Sequence, residues 1–327
     1  MQTELADFIR DTPDGEEAAA IIGRCVHCGF CNATCPSYQL LGDELDGPRG
    51  RIYLIKQVLE GSTPSASTRL HLDRCLGCRA CETTCPSGVE YGRLLDIGRN
   101  AVAQRTRRPA AQAALRWLLR TGLGSRFFAP ALALGRALRP LLPPVLRDHM
   151  PLARAPGAWP ARTHSRRMLL LTGCVQPAML PNINAERARH VSTLAKDPCE
   201  VLPALLATQS IRQPRQRPRV AFQPPCTLQH GLKIRGTVET MLTALGCELL
   251  PYAETHLCCG AAGTYSLTQP EIADRLRERK LMHIGNATPE LILSANVGCI
   301  AHLQAGTKTP VMHWIEWLDD NIEEICP

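Results

Sequence analysis

The 327-residue sequence predicts an α+β multidomain protein, a helical domain followed by an α/β cysteine-rich domain. Three observations carry that prediction. One cysteine run occurs twice near the N-terminus, and the sequence between the copies has helical periodicity. A proline-broken, arginine-rich stretch follows. Beyond it, short apolar runs end in cysteines, and ligands of open α/β sheets sit outside the carboxyl ends of the strands. The expected divisions are residues 1–105, 106–165, 166–206 and 207–327.

The two runs are Cys25, Cys28, Cys31, Cys35-Pro36 and Cys75, Cys78, Cys81, Cys85-Pro86. Three thiolates spaced by two residues can face one corner of a cube, and the fourth cysteine of this ferredoxin run ligates the other cluster. The spacing therefore predicts two [4Fe-4S] clusters with crossed ligands. Cys25, Cys28, Cys31 and Cys85 hold one, and Cys35, Cys75, Cys78 and Cys81 hold the other. A structural zinc site would use two separated pairs of ligands. A disulfide framework needs an oxidising compartment, and Met1 to Glu17 is acidic, without the basic and apolar regions of a secretory signal.

Composition narrows the class further. With 45% hydrophobic residues the chain can bury a core, and sixteen cysteines without a signal peptide point to metal or redox work. The net charge of +7 is unevenly placed: fourteen arginines but a single acid, Asp148, lie between Arg99 and Arg167. No apolar run approaches the 18 or more residues that span a bilayer.

In chain order, Glu4 to Arg24 reads as an acidic helix leading into the first loop. Ile52, Ile55, Val58 and Leu59 share one helical face, with Gly61 as the C-cap. Leu94 to Gln104 closes this helical ferredoxin domain. In the connector, Ala110 to Leu123 and Pro130 to Leu142 have helical patterns carrying Arg116, Arg120, Arg136 and Arg139. A basic amphipathic helix can lie on an anionic membrane or an acidic partner, and it can equally be a solvated face. Nucleic-acid binding is set aside, since the stretch has no recognised motif and few aromatics.

The stretches CVHCGFCNATCPSYQLLGDELDGPRGRIYLIKQVLEG and HLDRCLGCRACETTCPSGV resemble the iron-sulfur subunit of bacterial glycolate oxidase. That resemblance implies an electron-transfer subunit of a glycolate oxidase or dehydrogenase, which oxidises glycolate to glyoxylate. It also implies flavoprotein partner subunits that carry the FAD, with quinone as the eventual acceptor. The location expected is cytoplasmic, or peripheral on the cytoplasmic face of the inner membrane.

The C-terminal half places strands at Met168–Leu171, Arg219–Gln223 and Leu291–Ala295, followed by Cys174, Cys226 and Cys299. A helix is expected from Pro270 to Ile284. The stretches PPCTLQH, HLCCGAAGTYSLTQP and ANVGC resemble one repeat of the CCG cysteine-rich domain, shared with heterodisulfide reductases. The resemblance implies a third iron-sulfur or other metal centre on Cys226, Cys258, Cys259 and Cys299. Because Cys258 and Cys259 are adjacent, an atypical cluster, a thiol site without a cluster, and buried packing cysteines all stay open. Cys199, Cys247 and Cys326 read as packing residues. Two repeats are expected in such subunits, yet only Gly173-Cys174 and Pro177 of the first are present, so residues 166–206 read as a remnant. Lost strands leave an apolar face or a sheet edge.

Removing a hydride from a 2-hydroxy acid calls for an organic acceptor such as flavin. This chain has neither the G-x-G-x-x-G fingerprint nor a Walker loop. No catalytic acid or base is expected here; His230, His256, His302 and His313 read as polar or packing residues, with His230 and His256 placed to hydrogen-bond cluster sulfur. Three alternatives accompany the glycolate reading: a lactate-type or other 2-hydroxy acid dehydrogenase subunit, a thiol reductase like heterodisulfide reductase working through Cys258-Cys259, and an assembly subunit.

Overall fold

The computed structural model describes residues 1–141 apart from 124 and 126, then 197–199, 202 and 217–325. Met168–Leu171 and Cys174 lie outside the described residues, as does almost all of 166–206. The chain forms two units, and these do not follow the linear divisions. The first comprises Met1–Ala110, Cys226–Lys233 and Glu254–Lys280; the second comprises Ala111–Pro225, Ile234–Ala253 and Leu281–Pro327.

In the first unit α1 spans Pro13–Arg24, a later start than Glu4. The reason is local: the Thr12 hydroxyl accepts from Gly15 N at 3.1 Å, and Pro13 occupies the first turn, where its missing N–H costs nothing. Helix α2 (Phe30–Ala33) lies within the first cysteine run and carries Cys31, and α3 (Pro36–Leu41) follows the run. Helix α4 (Pro48–Leu59) buries Ile52, Ile55, Val58 and Leu59, the face predicted. It ends where Gly61, at φ +103°, donates to Val58 O while Ser62 N reaches Gln57 O, a pairing that glycine's left-handed conformation permits. Helix α5 (Ala66–Asp73) starts with a Ser65/Thr68 capping box. Then come α6 (Ala80–Thr84) and α7 (Tyr91–Arg105), which packs on α4, α1 and α5. Ile21, Ile22, Ile55, Leu59, Leu72, Leu94 and Leu95 form the centre of this core, each contributing about 1.5–3 kcal/mol by burial.

The second unit contains a parallel sheet in the order β2-β1-β3-β4. Its strands are β1 (Arg219–Gln223), β2 (Glu248–Leu249), β3 (Leu291–Ser294) and β4 (Val311–His313). Parallel neighbours require crossover connections, and helices Thr237–Ala244 and Val297–Gln304 lie in the β1-to-β2 and β3-to-β4 connections. Helix Trp314–Ile325 buries Trp314 and Leu318. Helices α8 (Ala110–Leu123) and α9 (Phe128–Ala137) bury no residue and expose Trp117, Leu118 and Leu134, and Phe127 just before α9 is exposed too.

Candidate metal centres

The two cysteine runs trace the same backbone. The residue before the second cysteine is left-handed in both, His27 at φ 56° and Gly77 at 67°, and so is the residue after it, Gly29 at 85° and Arg79 at 59°. This curl turns the spaced sulfurs toward a common point. The last cysteine of each run leaves in extended conformation, Cys35 before Pro36 and Cys85 before Pro86. The equivalent threonines beside them join the repeats: Thr84 Oγ1 donates to Thr34 Oγ1 at 3.1 Å, and Thr34 Oγ1 in turn donates to Ala80 O at 3.4 Å.

That pairing brings each run's fourth cysteine to the other run. Cys25, Cys28, Cys31 and Cys85 line one cavity of about 430 Å3, counting its open mouth, and Cys81 of the second run borders it as well. Burial pushes the Cys31 thiol up to about 11, and the neighbouring Cys25, Cys28 and Cys85 push the same way. In the second set, burial raises Cys81 strongly, and Cys78, Cys75 and Cys35 add to it. Thiols that raise one another's pKa in this way are a donor set for a cation that takes thiolate ligands, and both sets fit a four-cysteine cluster.

Residues that sequence reasoning did not single out surround the second set. Arg51, fully buried, donates from Nε to His71 O at 2.7 Å, from Nη1 to Ser37 Oγ at 3.0 Å and from Nη2 to Asp46 Oδ1 at 3.2 Å. Its Nη1 also lies 4.0 Å from Cys35 Sγ, while Ser37 Oγ is 3.3 Å from that sulfur. Asp46 is held further by Arg74 at 2.8 Å and by His71 at 3.1 Å. The Tyr91 hydroxyl points at Cys75 Sγ, 3.6 Å away. Gly50 is required by this turn, because a Cβ there would lie 2.1 Å from Glu44 O.

The cysteine-rich loops of the first unit meet the same region. Cys226 starts the turn Thr227–Gly231, and its neighbours Cys258 and Cys78, ahead of burial, raise its thiol well above the usual thiol range. For Cys258 the bond with Cys226 acts downward, but Cys259 and burial outweigh it and carry the thiol to about 12. Gly260 donates to Cys258 Sγ at 3.5 Å. It sits at φ +94°, where a Cβ would come within 2.5 Å of Ala273 O, so the third residue of Cys-Cys-Gly must be glycine. Lys280, fully buried, donates to Glu254 O at 2.7 Å and Thr255 O at 3.1 Å, fixing the approach to Cys258. Leu257, Tyr265, Ile272 and Leu276 pack with Leu40, Leu41 and Leu76, and Tyr265 donates to Arg74 O at 2.8 Å.

His230 behaves as a connector. Its Nε2 faces His256 O at 3.2 Å, which places the proton there, and Nδ1 then accepts from Thr83 Oγ1 at 3.1 Å. Of the expected third set, Cys226, Cys258 and Cys259 fall in the first unit, whereas Cys299 falls in the second. There it lies in the first turn of its helix, where Asn296 Oδ1 accepts from Gly298 N at 2.9 Å and Cys299 N at 3.2 Å. Cys247 is buried, its thiol pushed up to about 12 by that burial, in keeping with a packing role; Cys199 is buried too, and Cys326 lies outside the described residues.

Comparison with known proteins gives this geometry its family. A 4Fe-4S dicluster domain matches residues 21–89, and a cysteine-rich domain, CCG, matches residues 220–304. The glycolate oxidase iron-sulfur subunit of Escherichia coli K12 is 40% identical, with 99% of this chain and 100% of that protein covered. This chain belongs to the family of glycolate oxidase iron-sulfur subunits. As a member it carries the family's iron-sulfur and cysteine-rich domains. The aligned length of 410 positions exceeds the 327 residues here, so the relative has residues without a counterpart in this chain. An uncharacterised E. coli protein, YkgE, is 33% identical over 31% of this chain and 44% of its own length. The lactate utilization protein A of Geobacillus thermodenitrificans is 28% identical over 31% of this chain and 45% of its own. Among the described residues, no helix is long and apolar enough to cross a membrane.

Proposed function

We propose that this chain is the electron-carrying subunit of a glycolate-oxidising complex. Its two [4Fe-4S] clusters are held by Cys25, Cys28, Cys31 and Cys85 and by Cys35, Cys75, Cys78 and Cys81. The observation that supports the reading is the placement of Cys85 in a cavity with Cys25, Cys28 and Cys31, and of Cys35 close enough to act on Cys81, with Thr84 donating to Thr34 at 3.1 Å beside them. The clusters supply one-electron storage. The protein's part is to fix eight sulfurs, exclude water from the inner ones, and place charge and hydrogen bonds around them.

Hydride removal from a 2-hydroxy acid belongs, in this reading, to FAD on flavoprotein partner subunits, with quinone as the final acceptor. The name of the E. coli relative supports glycolate as the substrate. Location in the cytoplasm or at the inner face of the membrane follows as part of the same proposal, with α8 and its Arg116 and Arg120 as the surface for peripheral contact. Cys226, Cys258 and Cys259, with Cys299 as the sequence-based fourth candidate, are proposed as a third iron-sulfur or metal centre. Residues 166–206 are proposed as the remnant of a first cysteine-rich repeat, most of which this chain lacks, in keeping with the longer alignment.

The test is anaerobic addition of glycolate to the full chain co-purified with its flavoprotein partners. Reduction of the clusters by glycolate, seen by EPR and lost when the flavin is removed, is expected. Clusters reducible by dithionite but indifferent to glycolate would contradict the substrate assignment. Reduction by lactate alone would favour the lactate-type alternative, to which the lactate utilization relative points.

A further inference from the structure

Resting on the ligation just proposed, we propose that Arg51 and Tyr91 set the reduction potential of the centre on Cys35, Cys75, Cys78 and Cys81 above that of the centre on Cys25, Cys28, Cys31 and Cys85. Reduction adds a negative charge to a cluster, so a nearby cation or a hydrogen bond to its sulfur favours the reduced form. The surroundings of the two sets differ in this respect.

Around the second set the charge is buried and fixed. Arg51 directs Nη1 at Cys35 Sγ from 4.0 Å and at Ser37 Oγ, itself 3.3 Å from the sulfur. Asp46 does not cancel this cation, because one carboxylate faces two guanidiniums, Arg51 at 3.2 Å and Arg74 at 2.8 Å. Tyr91, 4% exposed, has its hydroxyl 3.6 Å from Cys75 Sγ, where a phenol can only donate to a thiolate.

Around the first set the corresponding cation is spent at the surface. Arg49 lines that cavity, but its Nε lies 2.6 Å from Glu44 Oε1, and both side chains are more than a third exposed. Val89 N donates to Cys85 Sγ at 3.5 Å. Water at the open mouth beside exposed Cys28 also favours the reduced form there. The buried guanidinium decides the order, since a charge held in low dielectric acts on the sulfur with little of the screening that water imposes at the mouth. A single electron on the chain then settles on the centre of Cys35, Cys75, Cys78 and Cys81.

The experiment is a dye-mediated redox titration of the anaerobically purified full chain, followed by EPR, with iron content as a control. Wild type should give two midpoints. Tyr91→Phe, which deletes only the hydroxyl, should lower the higher midpoint by a several-fold change in the reduction equilibrium and leave the lower one in place. Arg51→Gln should lower the same midpoint by tenfold or more, which is about 59 mV for one electron, and Arg51→Lys should restore part of it. If Arg51→Gln fails to assemble, Tyr91→Phe decides alone. Full iron with unmoved midpoints, or movement of the lower midpoint, would overturn the tuning. Absence of iron from wild type would instead sink the ligation beneath it.

Discussion

The thiol of Cys226 lies close enough to Cys78 for that neighbour to raise it, so the first cysteine of the cysteine-rich pattern meets the second ferredoxin run inside one compact unit. Nearly 150 residues of sequence separate them. Thr83 and His230, at 3.1 Å, fasten the same two segments.

That contact predicts an electronic effect confined to one centre. In reduced, iron-replete protein, Cys226→Ser should change the EPR line shape of the centre that includes Cys78 and leave the other signal as it is. Equal change in both signals would mean a general loosening rather than a local contact.

Gly260→Ala tests why the Cys-Cys-Gly turn ends in glycine. A methyl group there meets Ala273 O at 2.5 Å on a backbone at φ +94°, a conformation that costs on the order of 1–3 kcal/mol for other residues. The first unit should unfold at lower denaturant, and Cys258 and Cys259 should alkylate faster in the metal-free protein. Unchanged alkylation would place the turn's rigidity elsewhere.

Sequence pattern captured what local spacing determines. The cysteine runs, the buried face of α4, the span of α8 and strand β1 fall where periodicity and composition put them. Even the late start of α1 was written in Thr12-Pro13, a cap followed by a first-turn proline. Strands β2 and β4, of two and three residues, are too short to carry an alternating pattern. The joining of Cys226–Lys233 and Glu254–Lys280 to the first unit depends on contacts between distant segments, which no window of sequence contains. Arg51 and Lys280 were hidden for a different reason: charged residues in mixed sequence read as surface, and only their partners, Asp46 with Ser37 and the Glu254 and Thr255 carbonyls, reveal that they are buried.

His313 predicts an acid limit for the second unit. Burial lowers its pKa to about 4 from 6.5, so between those values the unfolded chain takes a proton that the folded one refuses. Stability is therefore fully present above about 6.5 and falls as pH drops toward 4, by up to about 3 kcal/mol from this group. Denaturation followed by the fluorescence of buried Trp314 and Trp317 should show the loss, and His313→Gln should flatten that part of the curve. An equal slope in the variant would assign the acid sensitivity to other groups.

The central claim is crossed ligation of two four-iron centres, and iron and acid-labile sulfide analysis with reduced-state EPR, on wild type and Cys85→Ser, tests it most directly. Wild type should hold about eight irons in the two ferredoxin-type centres, or about twelve with a third centre on the cysteine-rich loops. Cys85→Ser should weaken or lose the centre on Cys25, Cys28 and Cys31 while the signal of the other persists. Wild type without iron, or a Cys85→Ser protein whose damage falls on the Cys75, Cys78 and Cys81 centre, would contradict the account.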